Sequence, residues 1–310
     1  MNRMAKIFPS IFFFSALCSL ICALCGCAGV TVSAEEYYSI GMAYFELGKY
    51  EEAEEWLLRA KQAKRTMEAS AYNLGRLSFE MGRYEEAAKH FESILKKDKD
   101  NVQALKAAAY SRIKSGDIEK AEKHYSRLLE IVPESADDGF NHALVLFAMG
   151  RHKQSEEVLE KYPIALQENR DVILLYARNQ SAQNKVEAID TYAAFLVLFT
   201  DPKARYEYAS LLEKRELYAR ALEEYRKTLT EITADTGEPK KSDVRFSIAK
   251  VLLIADSSSG EGISELRGAV NDGFSDISAI LLLAGKTSGS NKEAINDIAG
   301  NLRTKSETKP

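Results

Sequence analysis

Few side chains in this chain could do catalytic chemistry, and their spacing argues against it. The histidines are four, His90, His124, His142 and His152. None stands in a His-x-x-x-His or Glu-x-x-His pair or beside a cysteine, the arrangements that converge ligands or bases on one point. His90 and His124 recur at one spacing and are expected on an outer helix in solvent, with His142 a substitution tolerated between helices. The pairs Glu51-Glu52 and Glu85-Glu86 open helices, where carboxylates complement free N–H groups. Acid and base must instead converge on a substrate. No glycine-rich phosphate loop follows a strand and no G-x-S-x-G occurs. All four cysteines, Cys18, Cys22, Cys25 and Cys27, precede the last 283 residues, so the folded part holds no disulfide or thiolate metal site. No cofactor, metal or catalysis is expected, which leaves recognition and modification.

The elements that would position a recognition surface are announced by four glycines, Gly48, Gly82, Gly116 and Gly150, each 34 residues after the last. They open G-K-Y-E-E-A, G-R-Y-E-E-A, G-D-I-E-K-A and, more loosely, G-R-H-K-Q-S. A fixed period of this length marks one supersecondary unit stacked on its copies, because a single unit cannot bury its apolar face. With the first unit starting at Ala34, Tyr37, Ile40, Gly41 and Tyr44 form an i, i+3, i+4, i+7 stripe, which is helical. Beyond Gly48 the stripe resumes with Ala53, Leu57 and Ala60. Equivalent places hold Ala71, Leu74, Gly75 and Ser78, then Ala87, Phe91 and Ile94; the third unit holds Leu105, Ala108, Ala109 and Arg112, then Ala121, Tyr125 and Leu128, and closes at Pro133.

This pattern resembles the tetratricopeptide repeat. That family places an aromatic fourth, Leu-Gly seventh and eighth, Tyr eleventh, Ala twentieth, an aromatic twenty-fourth and Ala twenty-seventh. Antiparallel helices touch at the eighth and twentieth places, so side chains there must be small. Gly41 with Ala53, Gly75 with Ala87, Ala109 with Ala121 and Ala143 with Ser155 comply. Past Ser155 the period drifts, with Ala188 and Ala221 in the twentieth place. The expected fold is an all-α, right-handed α-solenoid of six to seven helix pairs. The array covers 34–230, a polar loop 231–242 interrupts it, and a degenerate pair with capping helices occupies 243–303, all in one elongated domain. Residues 304–310 are expected to be a disordered tail.

The N-terminus reads as targeting. Arg3 and Lys6 precede the uncharged run Ile7 to Leu24. Leu24-Cys25-Gly26-Cys27 resembles the lipobox of bacterial lipoproteins, which implies cleavage before Cys27 and its acylation, with 28–33 as tether. Cleavage after Val32-Ser33-Ala34 and an uncleaved span are the other readings. All three put the repeats outside the cytoplasm. The net charge of −4, without basic clusters, argues against nucleic acid.

In the tetratricopeptide family the first helix of each pair lines a concave groove. Its lining places here hold Tyr38, Met42 and Phe45; Tyr72, Asn73, Arg76 and Phe79; Lys106, Tyr110 and Ile113; and Phe140, Asn141, Leu144 and Phe147. Those expected to contact a partner are Tyr38, Met42, Tyr72, Asn73, Arg76, Tyr110, Phe140, Asn141 and Leu144. The family's carboxylate clamp would fall on Tyr38, Met42, Asn73, Gln103 and Ala107, of which Asn73 alone matches. The resemblance thus implies a non-enzymatic, membrane-tethered adaptor of the bacterial envelope that binds a polypeptide. A second reading has a wound array enclosing a small hydrophobic ligand among Phe79, Phe140 and Phe147.

Overall fold

The computed structural model describes residues 32–233 and 237–307. The leader, including Cys27, lies outside the described residues. These hold seventeen helices and no strand. The chain divides into two compact units, Met1–Arg127 and Leu128–Pro310.

In the first unit the helices pair as α1 (Ala34–Glu46) with α2 (Tyr50–Ala63), and α3 (Glu68–Glu80) with α4 (Tyr84–Leu95); α5 (Val102–Ser115) is followed by α6 (Ile118–Ile131), within which the boundary falls. Ser33 opens α1 with a capping box: its hydroxyl accepts from the Glu36 N–H at 3.1 Å while the Glu36 carboxylate accepts from the Ser33 N–H at 2.7 Å. The helices turn at Gly48, Gly82 and Gly116, with φ of +71°, +73° and +84°. At each, the N–H of the next residue reaches five residues back, as from Lys49 to the Tyr44 carbonyl at 3.0 Å. A side chain at that φ would be strained.

Pairs close where the sequence demands small residues. A Cβ on Gly41 would come within 2.9 Å of the Leu57 side chain, and one on Gly75 within 2.7 Å of the Phe91 ring. Ala53, Ala87, Ala109 and Ala121 are fully buried. Arg112, the one large polar group in the stripe, is 2 % exposed. Its Nε and Nη2 donate to both oxygens of Glu92 at 2.7 Å, and its Nη1 donates to Glu85, so α5 is bound to α4 by charge.

The second unit comprises α7 (Ala136–Ala148) with α8 (His152–Leu159), the single turn α9 (Ala165–Glu168), then α10 (Arg170–Ala182) with α11 (Ala188–Leu198), α12 (Pro202–Lys214) with α13 (Tyr218–Glu231), α14 (Lys241–Ala255) with α15 (Gly260–Asn271), and α16 (Ile277–Gly285) with α17 (Gly289–Glu307). The repeat persists where glycine stops marking it. Gly150 turns at φ +71°, but the same left-handed place is then taken by Asn184 at +59° and Glu216 at +61°. Lys185 and Leu217 make the same backward bonds, each at 2.9 Å.

Ser155, at a small-residue place, uses its hydroxyl as a tie: it donates to the Ala143 carbonyl at 2.7 Å and accepts from Asn179 Nδ2 at 2.8 Å, joining α7, α8 and α10. The degenerate pair expected around Ala249 and Leu266 is α14 with α15, and α16 with α17 cover it through Ile280, Leu283, Ile295 and Ala299. α17 runs through Thr304 to Glu307, where the polar composition predicts no structure. Among the described residues no helix is long and apolar enough to cross a membrane.

Candidate partner-binding face

His90 and His124 are not in solvent: their side chains are 17 % and 18 % exposed, because the outer helices of neighbouring pairs pack side by side. Burial, then the Lys61 ammonium, lowers the His90 pKa. His124 Nε2 lies 3.3 Å from Glu92 Oε1. His142 is buried, and His152 meets the Phe147 ring at 4.9 Å. No group of three or more metal-ligating side chains is gathered among the described residues.

Side chains of the first helices α1, α3 and α5 meet laterally. Asn73 on α3 is 6 % exposed. Its Nδ2 donates to the Tyr38 hydroxyl of α1 at 2.9 Å and to the Ala69 carbonyl at 3.0 Å, while its Oδ1 accepts from Arg76 Nη1 at 3.0 Å. The Arg76 guanidinium lies 4.8 Å from the centre of the Phe45 ring, a cation–π contact back to α1. Toward α5, Phe79 stacks on Tyr110 at 5.3 Å, and Lys114 stands 5.5 Å from the Tyr110 ring centre. Tyr110 is 47 % exposed, Arg76 is exposed, and Tyr38 and Met42 are half-buried.

Tyr72 sits differently. Its ring meets Phe91 of α4 edge-on at 5.3 Å, inside its own helix pair. The remaining groove positions, Phe140, Asn141 and Leu144, lie on α7 in the second unit. Phe140 packs against the core of Leu146, Leu159 and Val172, Asn141 is half-buried and Leu144 is 40 % exposed. Phe79 is occupied by Tyr84 and Tyr110, and Phe147 by His152.

The structure adds a surface the sequence reading passed over. A cleft of about 570 Å³ in the second unit is lined by Arg178, Tyr192, Lys203, Tyr206, Glu207 and Lys214, among others. Arg178 donates to both Glu207 oxygens at 2.8 and 2.9 Å, and the Tyr192 hydroxyl donates to the same carboxylate at 3.1 Å. Burial and that carboxylate push the Tyr192 pKa far up. Arg178 sits on the first helix α10, Lys203, Tyr206, Glu207 and Lys214 on the first helix α12, and Tyr192 on the second helix α11, so mapping the lining places of the later repeats would have found all but Tyr192.

A tetratricopeptide-repeat family model matches residues 78–138, from the end of α3 into α7. Over those residues the chain is similar to the tetratricopeptide repeat. A second model, the anaphase-promoting complex (cyclosome) subunit 3, matches residues 11–94. No curated protein matches the chain. Among solved structures, a tetratricopeptide repeat protein from Parabacteroides merdae is 21% identical with a TM-score of 0.54, covering 81% of this chain and 97% of that one. The C-terminal part of a TPR repeat-containing protein from Cytophaga hutchinsonii is 15% identical with a TM-score of 0.59, over 77% and 96% of the two chains. YrrB, described as a TPR protein with an unusual peptide-binding site, is 16% identical with a TM-score of 0.50, over 62% and 97%. At such identities the likeness is one of fold. The tetratricopeptide fold is a scaffold of protein binding, and in this chain its first-helix face is aromatic and cationic around Tyr38, Arg76 and Tyr110.

Proposed function

We propose that this chain is a non-enzymatic scaffold that binds a partner polypeptide on the α1–α3–α5 face, held at a bacterial envelope membrane by a lipid on Cys27 and facing the periplasm. The observation that carries the binding half is Tyr110, 47 % exposed yet fixed by Phe79 and Lys114. A rigid aromatic loses little freedom when a partner covers it, which is how a few residues come to dominate an interface. The peptide-binding description of YrrB agrees with this reading.

The lipid half rests on Leu24-Cys25-Gly26-Cys27. If Cys27 is the anchor, the short tether to α1 spans roughly 25 Å at most, which keeps the first unit near the bilayer.

A photo-crosslinker placed at Tyr110 in intact cells is expected to capture a discrete protein, and Tyr110→Ala to weaken that capture about tenfold or more, as for an interface anchor. Unchanged capture would move the site elsewhere. Tyr72→Ala is a poor substitute, because it also undoes the Phe91 contact. For the anchor, Cys27→Ser is expected to abolish metabolic lipid labelling and release the protein from membranes; retained label would remove the tether from the reading.

A further inference from the structure

The scaffold reading leaves open what kind of segment the α1–α3–α5 face takes, and two observations narrow it. The first is charge. Some cations of the first unit find carboxylates, as Lys64 does at Glu35 and Arg83 at Glu54. Arg76 and Lys114 instead lie against the Phe45 and Tyr110 rings, and among the described residues no carboxylate is within ion-pair distance of either. A ring holds a guanidinium in place without neutralising it. That leaves two cationic groups on this face without an ion-pair partner among the described residues.

The second observation is how donors are disposed. The buried Asn73 amide spends itself on Tyr38, Ala69 and Arg76. The Tyr38 oxygen accepts there, so its own O–H is left to donate outward. Arg76 commits only Nη1 and keeps Nε and Nη2. Asn73 therefore fixes two neighbouring groups that still have hydrogens to give. A carboxylate, which only accepts, is the complement, and a fork of guanidinium donors binds it most strongly.

We propose that this face binds an extended, acidic segment of a partner protein: an aspartate or glutamate side chain on Arg76 and Tyr38, with an apolar side chain two to four residues along on Phe79 and Tyr110. The spacing follows from the contacts. Arg76 reaches back to α1 and Phe79 forward to α5, so their contacts lie on opposite sides of α3, about one interhelical distance of 8–10 Å apart. An extended segment advances about 3.3 Å per residue. The inference rests on the scaffold reading and deepens it. It differs from the family's carboxylate clamp in that Asn73 is a positioning residue and does not touch the ligand.

The test pans a displayed library of random dodecapeptides on the full chain, solubilised in detergent. Recovered sequences are expected to carry an acid with an apolar residue two to four places on. Synthesised with both ends blocked, they are expected to lose tenfold or more in affinity when the acid becomes its amide, and again with Arg76→Met, an exposed position whose replacement leaves helix content unchanged. Asn73→Ala is expected to shrink the acid-over-amide preference while Arg76→Lys keeps part of it; a purely structural Asn73 would weaken acid and amide peptides alike. Neutral or basic consensus sequences, indifference to Arg76→Met, or binding that vanishes when only the C-terminus is blocked would each overturn the proposal. Neutral peptides displaced by Tyr110→Ala would do so while leaving the scaffold reading intact. Recovery of no peptide would also overturn it, with the Tyr110 crosslink standing as the separate test of the scaffold.

Discussion

Arg112→Met is expected to destabilise the first unit by about 3 kcal/mol, the lower end of the range for removing one partner of a buried ion pair. Arg112 is 2 % exposed and bridges Glu92 and Glu85, with Asp117 at 3.5 Å. Methionine keeps most of the volume and removes the charge, so the loss reports the electrostatic tie between α5 and α4. Glu92 and Glu85 can regain some water, since their side chains are 24 % and 53 % exposed, which sets the expectation at the lower end. Amide protection in α4 and α5 is expected to fall roughly a hundredfold, at about 1.4 kcal/mol per factor of ten; a fall under threefold would show that packing alone holds the pair. Acid reads the same network. Burial pushes the Glu92 pKa up, but hydrogen bonds from Arg112 and His124 and the attraction of Arg112 outweigh it and hold it below the usual value. A carboxyl with a lower pKa folded than unfolded contributes fully above its unfolded value of about 4.3, and that contribution is lost as pH falls through the folded value. Protection in α4 and α5 is thus expected to drop below about pH 4.3 in the wild type, and this part of the drop to be missing in Glu92→Gln.

Gly139→Phe is expected to be equally damaging to the second unit, and Tyr162→Ala to rescue it. A Cβ on Gly139 would lie 2.1 Å from the Tyr162 ring, and that ring is 8 % exposed with its hydroxyl donating to the Pro133 carbonyl at 3.0 Å. Nothing can be added at Gly139 unless Tyr162 leaves. Overfilling a packed site costs about 1–3 kcal/mol and sometimes more, and removing a buried aromatic about 3–5 kcal/mol. Gly139 holds the fourth place of its repeat and Tyr162 the twenty-seventh. In the first repeat those places hold Tyr37 and the fully buried Ala60, so the same space is filled from the opposite side. The double variant restores the first repeat's order of large and small. Its stability is expected to exceed that of either single change, a coupling of a kind confined to residues in contact. Thermal unfolding of the three variants checks this; simple additivity would mean the two sites do not share one space.

The helix pairs of residues 34–150 could be read from composition and spacing because each signal is local. Gly48, Gly82, Gly116 and Gly150 mark turns whose left-handed backbone is strained for other residues, and Gly41 and Gly75 mark contacts that tolerate no larger group. The reading faded beyond Ser155 because Asn184 and Glu216 adopt the same backbone with side chains that carry no such signature, and the ordering of residues after Thr304 by α17 was not legible either. At the candidate face, the grouping of Tyr38, Arg76 and Tyr110 followed from their places in the repeat. The inward turn of Tyr72 onto Phe91 did not follow, since one helical place can face a neighbour or a partner.

The sequence by itself determined the helices, their pairing and the positions where pairs touch, because these depend on backbone conformation and on side-chain size within a few tens of residues. Only the tertiary structure decided which polar groups are spent inside. Arg112 is consumed by Glu92 and Glu85, Asn73 by Tyr38 and Arg76, and Tyr162 by the space above Gly139. Each outcome depends on which chain segments are brought within hydrogen-bond or van der Waals range, and no spacing along a single helix encodes that.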